Sequence, residues 1–210
     1  MSKWIDISQP LNNNLAHWPE DEPFHYETPV TKEMTGSVNI GRITTSAHIG
    51  THVDAPFHFL NDGKRILDLD IERYIGPCMV IDLSDFDEID KNALRAKGLS
   101  HAERLLIKTA LPNQPERFPE EVPPITADGA AYMQSLGVKL VGVDTPSVDR
   151  ISSKDLTGHH ALYQHDIYIL ENVMLDHVEE GAYELIALPL ALEEGDGSPV
   201  RAVIKPIEER

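Results

Sequence analysis

A chain of 210 residues with 41% apolar content and no visible linker has the material for one sizeable core, so residues 1–210 read as a single domain. Eighteen Lys and Arg face 35 Asp and Glu, and a net charge of −17 repels phosphate backbones and anionic lipid heads, which argues against nucleic acid or a membrane surface as partner. The single cysteine, Cys78, excludes an intrachain disulfide and a Cys-x-x-Cys zinc site.

From the N-terminus, Met1-Ser2-Lys3-Trp4-Ile5-Asp6 lacks the apolar stretch of a signal peptide. No later run approaches the roughly 20 residues that cross a bilayer. The expectation is a soluble, cytoplasmic protein. Residues 4–7 alternate and predict a first strand. Residues 37–47 are rich in β-branched side chains (Val38, Ile40, Ile43, Thr44, Thr45) and predict a long strand leading into a histidine-rich segment. Residues 78–83, 104–109, 140–143 and 167–170 are short apolar runs of the kind found in buried strands. Cys78 then reads as a small core hydrophobe, not a nucleophile.

Helices are fewer. Residues 90–97 predict a short one. Residues 126–136 predict a firmer one, capped by Thr126 and ended by Gly137. Residues 153–164 predict a third, with Ser152 or Ser153 as cap. The proline-rich stretch 109–124 reads as a loop. Residues 183–188 and 200–207 look like a closing pair of strands, with a turn at 194–199. Strands outnumber helices and interleave with them. The fold class is α/β, with a mixed, curved or barrel-like sheet flanked by helices.

The chemistry lies in Ser46-Ala47-His48-Ile49-Gly50-Thr51-His52-Val53-Asp54-Ala55-Pro56-Phe57-His58. His48, His52, Asp54 and His58 all occupy even positions, so an extended backbone turns them to one face. Imidazole and carboxylate suit zinc, manganese and cobalt alike. A helix is a poor host, because Gly50, Thr51 and Val53 are weak helix formers. A straight strand fails too, since it would separate His48 from His52 by roughly 13 Å. The chain must curl near Gly50, and Pro56 then fixes the backbone before His58.

A closed site needs donors from elsewhere. His159 or His160, on the third helix, and Glu171, directly after the run 167–170, are the best placed, and the residues alone do not choose between the two histidines. No thiolate is present, which favours an open site over a closed structural one. No G-x-S-x-G elbow is present to support a serine nucleophile.

His48-x-Gly50-Thr51-His52-x-Asp54-x-Pro56-x-His58 resembles the signature of the metal-dependent cyclase family, whose best-known members are the bacterial kynurenine formamidases (arylformamidases). The likeness extends to residues 4–11, Trp18-Pro19, 142–149, 169–172 and 197–203. The resemblance implies the cyclase-like swivelling β/α fold, a homodimer, and two divalent metal ions per subunit, most often Zn2+, with Mn2+ or Co2+ as substitutes. It assigns His48, His52 and Asp54 to the first metal, with Asp54 bridging to a second held by His159 and Glu171. In that family the second-half histidine precedes its glutamate by twelve positions, so the resemblance implies His159 over His160. It makes His58 the catalytic general acid/base and Trp18 a wall of the substrate pocket. The implied activity is hydrolysis of N-formyl-L-kynurenine to L-kynurenine and formate in tryptophan catabolism, driven by metal-activated hydroxide.

Two alternatives stand beside it: the same site acting on another small or cyclic amide, as an isatin hydrolase does, and a metal-stabilised binding protein without catalysis. His17 and His25, near Trp18, could touch the pocket. His101, His160, His165 and His177 read as surface or supporting residues. Asp144 and Asp149 could orient the site or hold a loop.

Overall fold

Strands that are apolar on both faces need cover on both sides. This chain supplies it with helices outside and its own curl inside. The computed structural model describes residues 3–207. In chain order the elements are β1 (Ile5–Asp6), β2 (His25–Val30), α1 (Lys32–Thr35), β3 (Ile40–Thr44), β4 (His52–Asp54), β5 (Ile75–Asp82), α2 (Lys91–Ala96), β6 (Arg104–Lys108) and α3 (Ala127–Ser135). Then follow β7 (Leu140–Val143), α4 (Thr157–Gln164), β8 (Tyr168–Glu171), β9 (Gly181–Ile186), β10 (Gly197–Pro199) and β11 (Val203–Pro206).

Nine strands share one sheet in the order β1-β11-β9-β5-β6-β7-β8-β4-β10. The pairs β5–β6, β6–β7 and β7–β8 are parallel, and the flanking pairs are antiparallel. The two ends of the sheet are tied by the chain between β10 and β11: Val200 N donates to Thr51 O (2.9 Å), while Ala202 O accepts from Ile7 N (3.0 Å). The sheet is therefore curled towards a barrel, as the sequence pattern predicts.

Alternation along the central strands builds two cores. Val80, Leu106, Leu140 and Leu170 join Ile7, Val53 and Ile204 on one face. Ile81, Leu105, Ile107, Val141 and Ile169 lie on the other, against Leu94 of α2, Met133 of α3 and Leu162 of α4. Gly142 in β7 is a packing device: a Cβ there would fall 2.5 Å from Leu106 Cδ2. Cys78 is buried in β5, as expected of a core residue.

Three local readings change. The predicted strand at 37–47 is shorter, Ile40–Thr44, and pairs with β2 in a separate two-stranded sheet instead of running into the histidine segment. The third helix begins at Thr157, not 153, because Ser153 Oγ accepts from Leu156 N (3.2 Å) and holds a turn where a cap was expected. The 194–199 turn is itself partly strand, since β10 pairs with β4, while β9 and β11 pair as expected. Thr126 does cap α3, accepting from Gly129 N.

Candidate metal centre

β4 is three residues long and wholly buried between β8 and β10. Its register sets His52 opposite Glu171 and Asp54 opposite Ile169. Directly opposed residues share a face, and so do residues two apart. His52, Asp54 and Glu171 therefore point together, while Val53 turns into the opposite core. This face looks towards α4, which brings in His159 from its first turn.

Gly50 supplies the predicted curl, with φ of 57°, a left-handed conformation that a side chain would strain. Its carbonyl accepts from Asn172 Nδ2 (3.1 Å) and from His52 Nδ1 (2.8 Å). That leaves His52 Nε2 facing Glu171 Oε2 at 3.4 Å and Asp54 Oδ1 at 3.5 Å. His48 sits in the bend before Gly50, with Nδ1 2.9 Å from Asp54 Oδ1. His159 Nδ1 is 2.7 Å from Asp149 Oδ2, so its Nε2 faces Asp54 Oδ2 at 3.4 Å and Glu171 Oε1 at 3.8 Å. Glu171 is steadied by Val148 N, which donates to Oε1 (3.0 Å).

Among the described residues three groups of donors lie close enough to share a cation: His48, His52 and Asp54; Asp54, His159 and Glu171, which meets the first at Asp54; and, nearer the surface, His48, His58 and Asp196. Asp54 Oδ2 is buried and accepts no hydrogen bond, the condition of an oxygen that a cation would satisfy. Buried carboxylates of this kind are paired or coordinate metals. The donor set thus fits a divalent cation.

Charge follows the same logic. Burial by itself would lower His48 and His159, but the carboxylates beside them, Asp196 and Asp54 for His48 and Asp149 and Asp54 for His159, carry both up to about 10. Burial opposes ionisation of Asp54, yet the facing His159 and His48 hold its acid well below the ordinary range. Glu171 is pushed up by burial and then by the Asp54 charge.

His58 lies outside the two groups that meet at Asp54 and belongs to the outer one, with His48 and Asp196. It lies on a single 3-10 turn, Pro56–His58, that Pro56 opens. Its ring rests on His48 at 3.9 Å between centroids and lies 6.0 Å from His159. Burial, reinforced by His48 and His159 against the pull of Asp54, lowers it to about 4, so it is neutral at pH 7. The cluster opens into a cleft of about 440 Å³ that Trp18, Pro146, Ile151 and Leu156 also line. Trp18 stands edge-on to Phe118 at 4.9 Å.

His160 faces Phe59 and joins none of these donor groups. His17 lines a shallow pocket beside Trp18, whereas His25 is exposed on β2. Asp149 proves to be the residue that fixes His159. Asp196, 148 positions from His48, meets His48 Nε2 at 3.2 Å, and sequence reasoning read it only as part of a turn.

The model of the Cyclase family, described as "Putative cyclase", matches residues 5–150. A protein named kynurenine formamidase from Bacillus cereus is 57% identical over 206 residues, covering 98% of this chain and 99% of its own. A solved structure described as a potential metal-dependent hydrolase with cyclase activity superposes with a TM-score of 0.84 at 25% identity, covering 100% of both chains. Isatin hydrolase A from Labrenzia aggregata shares the fold, with a TM-score of 0.82 at 20% identity over 99% of this chain and 94% of its own.

Proposed function

This chain belongs to the Cyclase family, among relatives named kynurenine formamidase, and from that premise we propose that it hydrolyses N-formyl-L-kynurenine to L-kynurenine and formate. The observation that carries the reading is the meeting of two donor groups on Asp54 in a chain 57% identical to such a relative. His48, His52 and Asp54 would hold one divalent cation, and Asp54, His159 and Glu171 would hold a second. Zinc suits these donors, and manganese or cobalt can replace it. When bound, such ions polarise a carbonyl and bring the ionisation of water towards pH ~7.

The chain's own residues do the rest. Trp18 offers a flat apolar face for the aryl ring, beside Ile151 and Leu156. His58, neutral and partly exposed at the rim, accepts the proton of the attacking water and delivers it to the departing aryl amine. Arg150 and Lys154 line the same cleft and favour the substrate's α-carboxylate on an otherwise acidic protein. The acting unit is one domain over residues 1–210 in a cytoplasmic homodimer. No helix among the described residues is long and apolar enough to cross a membrane. Apolar residues of the β2–β3 hairpin, Met34, Val38, Ile40 and Ile43, are exposed and supply a surface for the second copy.

The test is substrate competition. Purified protein offered N-formyl-L-kynurenine should release formate and L-kynurenine in equal amounts, and should open isatin far more slowly. A preference for isatin would move the chain to the cyclic-amide reading.

A further inference from the structure

Each imidazole facing Asp54 is gripped on its other nitrogen. His52 Nδ1 meets the Gly50 carbonyl at 2.8 Å, and His159 Nδ1 meets the Asp149 carboxylate at 2.7 Å. For His48 the partner is Asp196, whose Oδ2 lies 3.2 Å from Nε2. A carboxylate behind a metal-binding imidazole fixes its tautomer and ring angle and strengthens it as a donor.

The turn that carries Asp196 is shaped around His48. Ala55 N donates to Asp196 O (2.8 Å) and Ile66 N to Gly195 O (3.0 Å), which pins the turn to both ends of the 55–66 segment. Gly197 pairs opposite Asp54 in the sheet. A Cβ on Gly197 would lie 2.6 Å from His48 Cε1, so only glycine lets the imidazole lie flat on the turn. The same Oδ2 is 3.9 Å from His58 Nδ1, and the His58 ring rests on His48.

We infer that Asp196 is a positioning residue: its carboxylate accepts from His48 Nε2–H, presents Nδ1 to Asp54, and keeps His58 against the same ring. The inference rests on the reading of His48 as a ligand in the proposed function. Asp196 differs in kind from Asp149. Asp149 is buried and also accepts from Gly158 N and His159 N, so it holds a helix as well as a ring. The Asp196 side chain is 42% exposed, and its ion pairs among the described residues are with the two imidazoles, so its loss perturbs the site before the fold.

The experiment is zinc titration of chelator-stripped protein against a chromophoric competitor, with cobalt spectra taken in parallel, for wild type, Asp196→Ala and Asp196→Asn. Asp196→Ala should weaken one of two equivalents by about 10–100-fold, alter the cobalt spectrum, and leave the other equivalent nearly untouched. Asp196→Asn, whose amide oxygen still accepts from Nε2–H, should bind both ions much as wild type does. Gly197→Ala, which displaces the ring but keeps the carboxylate, should reproduce the selective loss and serves if Asp196→Ala does not fold. Wild-type affinity in both Asp196→Ala and Gly197→Ala overturns the inference. So does loss of a third equivalent, which would make Asp196 a ligand, or an equal loss in Asp196→Asn, which would make charge the cause. Wild-type protein that binds two ions but releases no kynurenine from N-formylkynurenine sinks the functional reading and leaves the Asp196 result standing.

Discussion

His48 and His58 lie ring against ring, yet their partners differ: His48 is gripped between the carboxylates of Asp54 and Asp196, whereas burial, with His48 and His159 nearby, lowers His58 to about 4. A cation would displace the proton that His48 Nδ1 shares with Asp54 and leave His58 as the neutral proton carrier. His58→Ala should keep the full metal complement while kcat falls by about 10²–10⁴-fold, measured by metal analysis and turnover on the same sample. Concurrent loss of metal would make His58 a ligand. Asp144 gives a second residue-level test. It is buried at the end of β7, where Thr109 N and Oγ1 both donate to it at 2.8 Å, but burial outweighs them and pushes its acid from 3.8 up to about 7. Between those values the folded chain keeps a proton that the unfolded chain has lost. The stability it contributes is therefore full below about pH 4 and is lost as pH rises through about 7. Asp144→Asn should gain in urea midpoint over wild type as pH is raised across that window, and a constant difference would contradict this. The spacing of His48, His52, Asp54 and His58 was legible because it is local. The grip of Asp196 on His48 was not, since no periodicity links residues 148 positions apart.

At the scale of elements, β4 and β8 do most of the assembly, because a single register brings His52, Asp54 and Glu171 to one face. The runs that became β5 to β8 were readable as buried strands, and Thr126 as a cap, since each signal lies within a few residues. β2 was not readable. Its side chains are mostly exposed, and Pro29 interrupts it where the β2–β3 register shifts between Glu27 and Val30. Proline has no N–H for the ladder, so the strand lacks an alternating signature. The start of α4 was misplaced for a related reason: its free amides, Gly158 N and His159 N, donate to Asp149, which lies eight residues before Thr157 and outside any local capping pattern. Asp149→Ala should strip these amides and release the His159 ring. The expected result is a stability loss of about 1–3 kcal/mol by denaturant unfolding, together with loss of one metal equivalent. Unchanged stability and full metal content would show that α4 and His159 hold themselves.

For the whole molecule, the α/β class and the curled sheet followed from interleaved strand and helix signals. The strand order did not, because it depends on pairings such as β4 with β10 that join distant segments. The exposed hairpin is the feature that a lone chain leaves unexplained, with Met34 72% and Ile43 60% exposed. Sedimentation should find a dimer for the native chain and a monomer for the double variant Met34→Lys and Ile43→Lys; a dimer in both would place the interface elsewhere. The centre itself draws on β4, the bend before it, α4, β8 and the turn before β10, so curl and chemistry are one arrangement. The most direct measurement is hydrolysis of N-formyl-L-kynurenine by chelator-stripped protein as zinc is added back. Turnover should be absent without metal and should rise to a plateau at two ions per chain, whereas full turnover in the stripped protein, or none at any zinc level, would contradict the account.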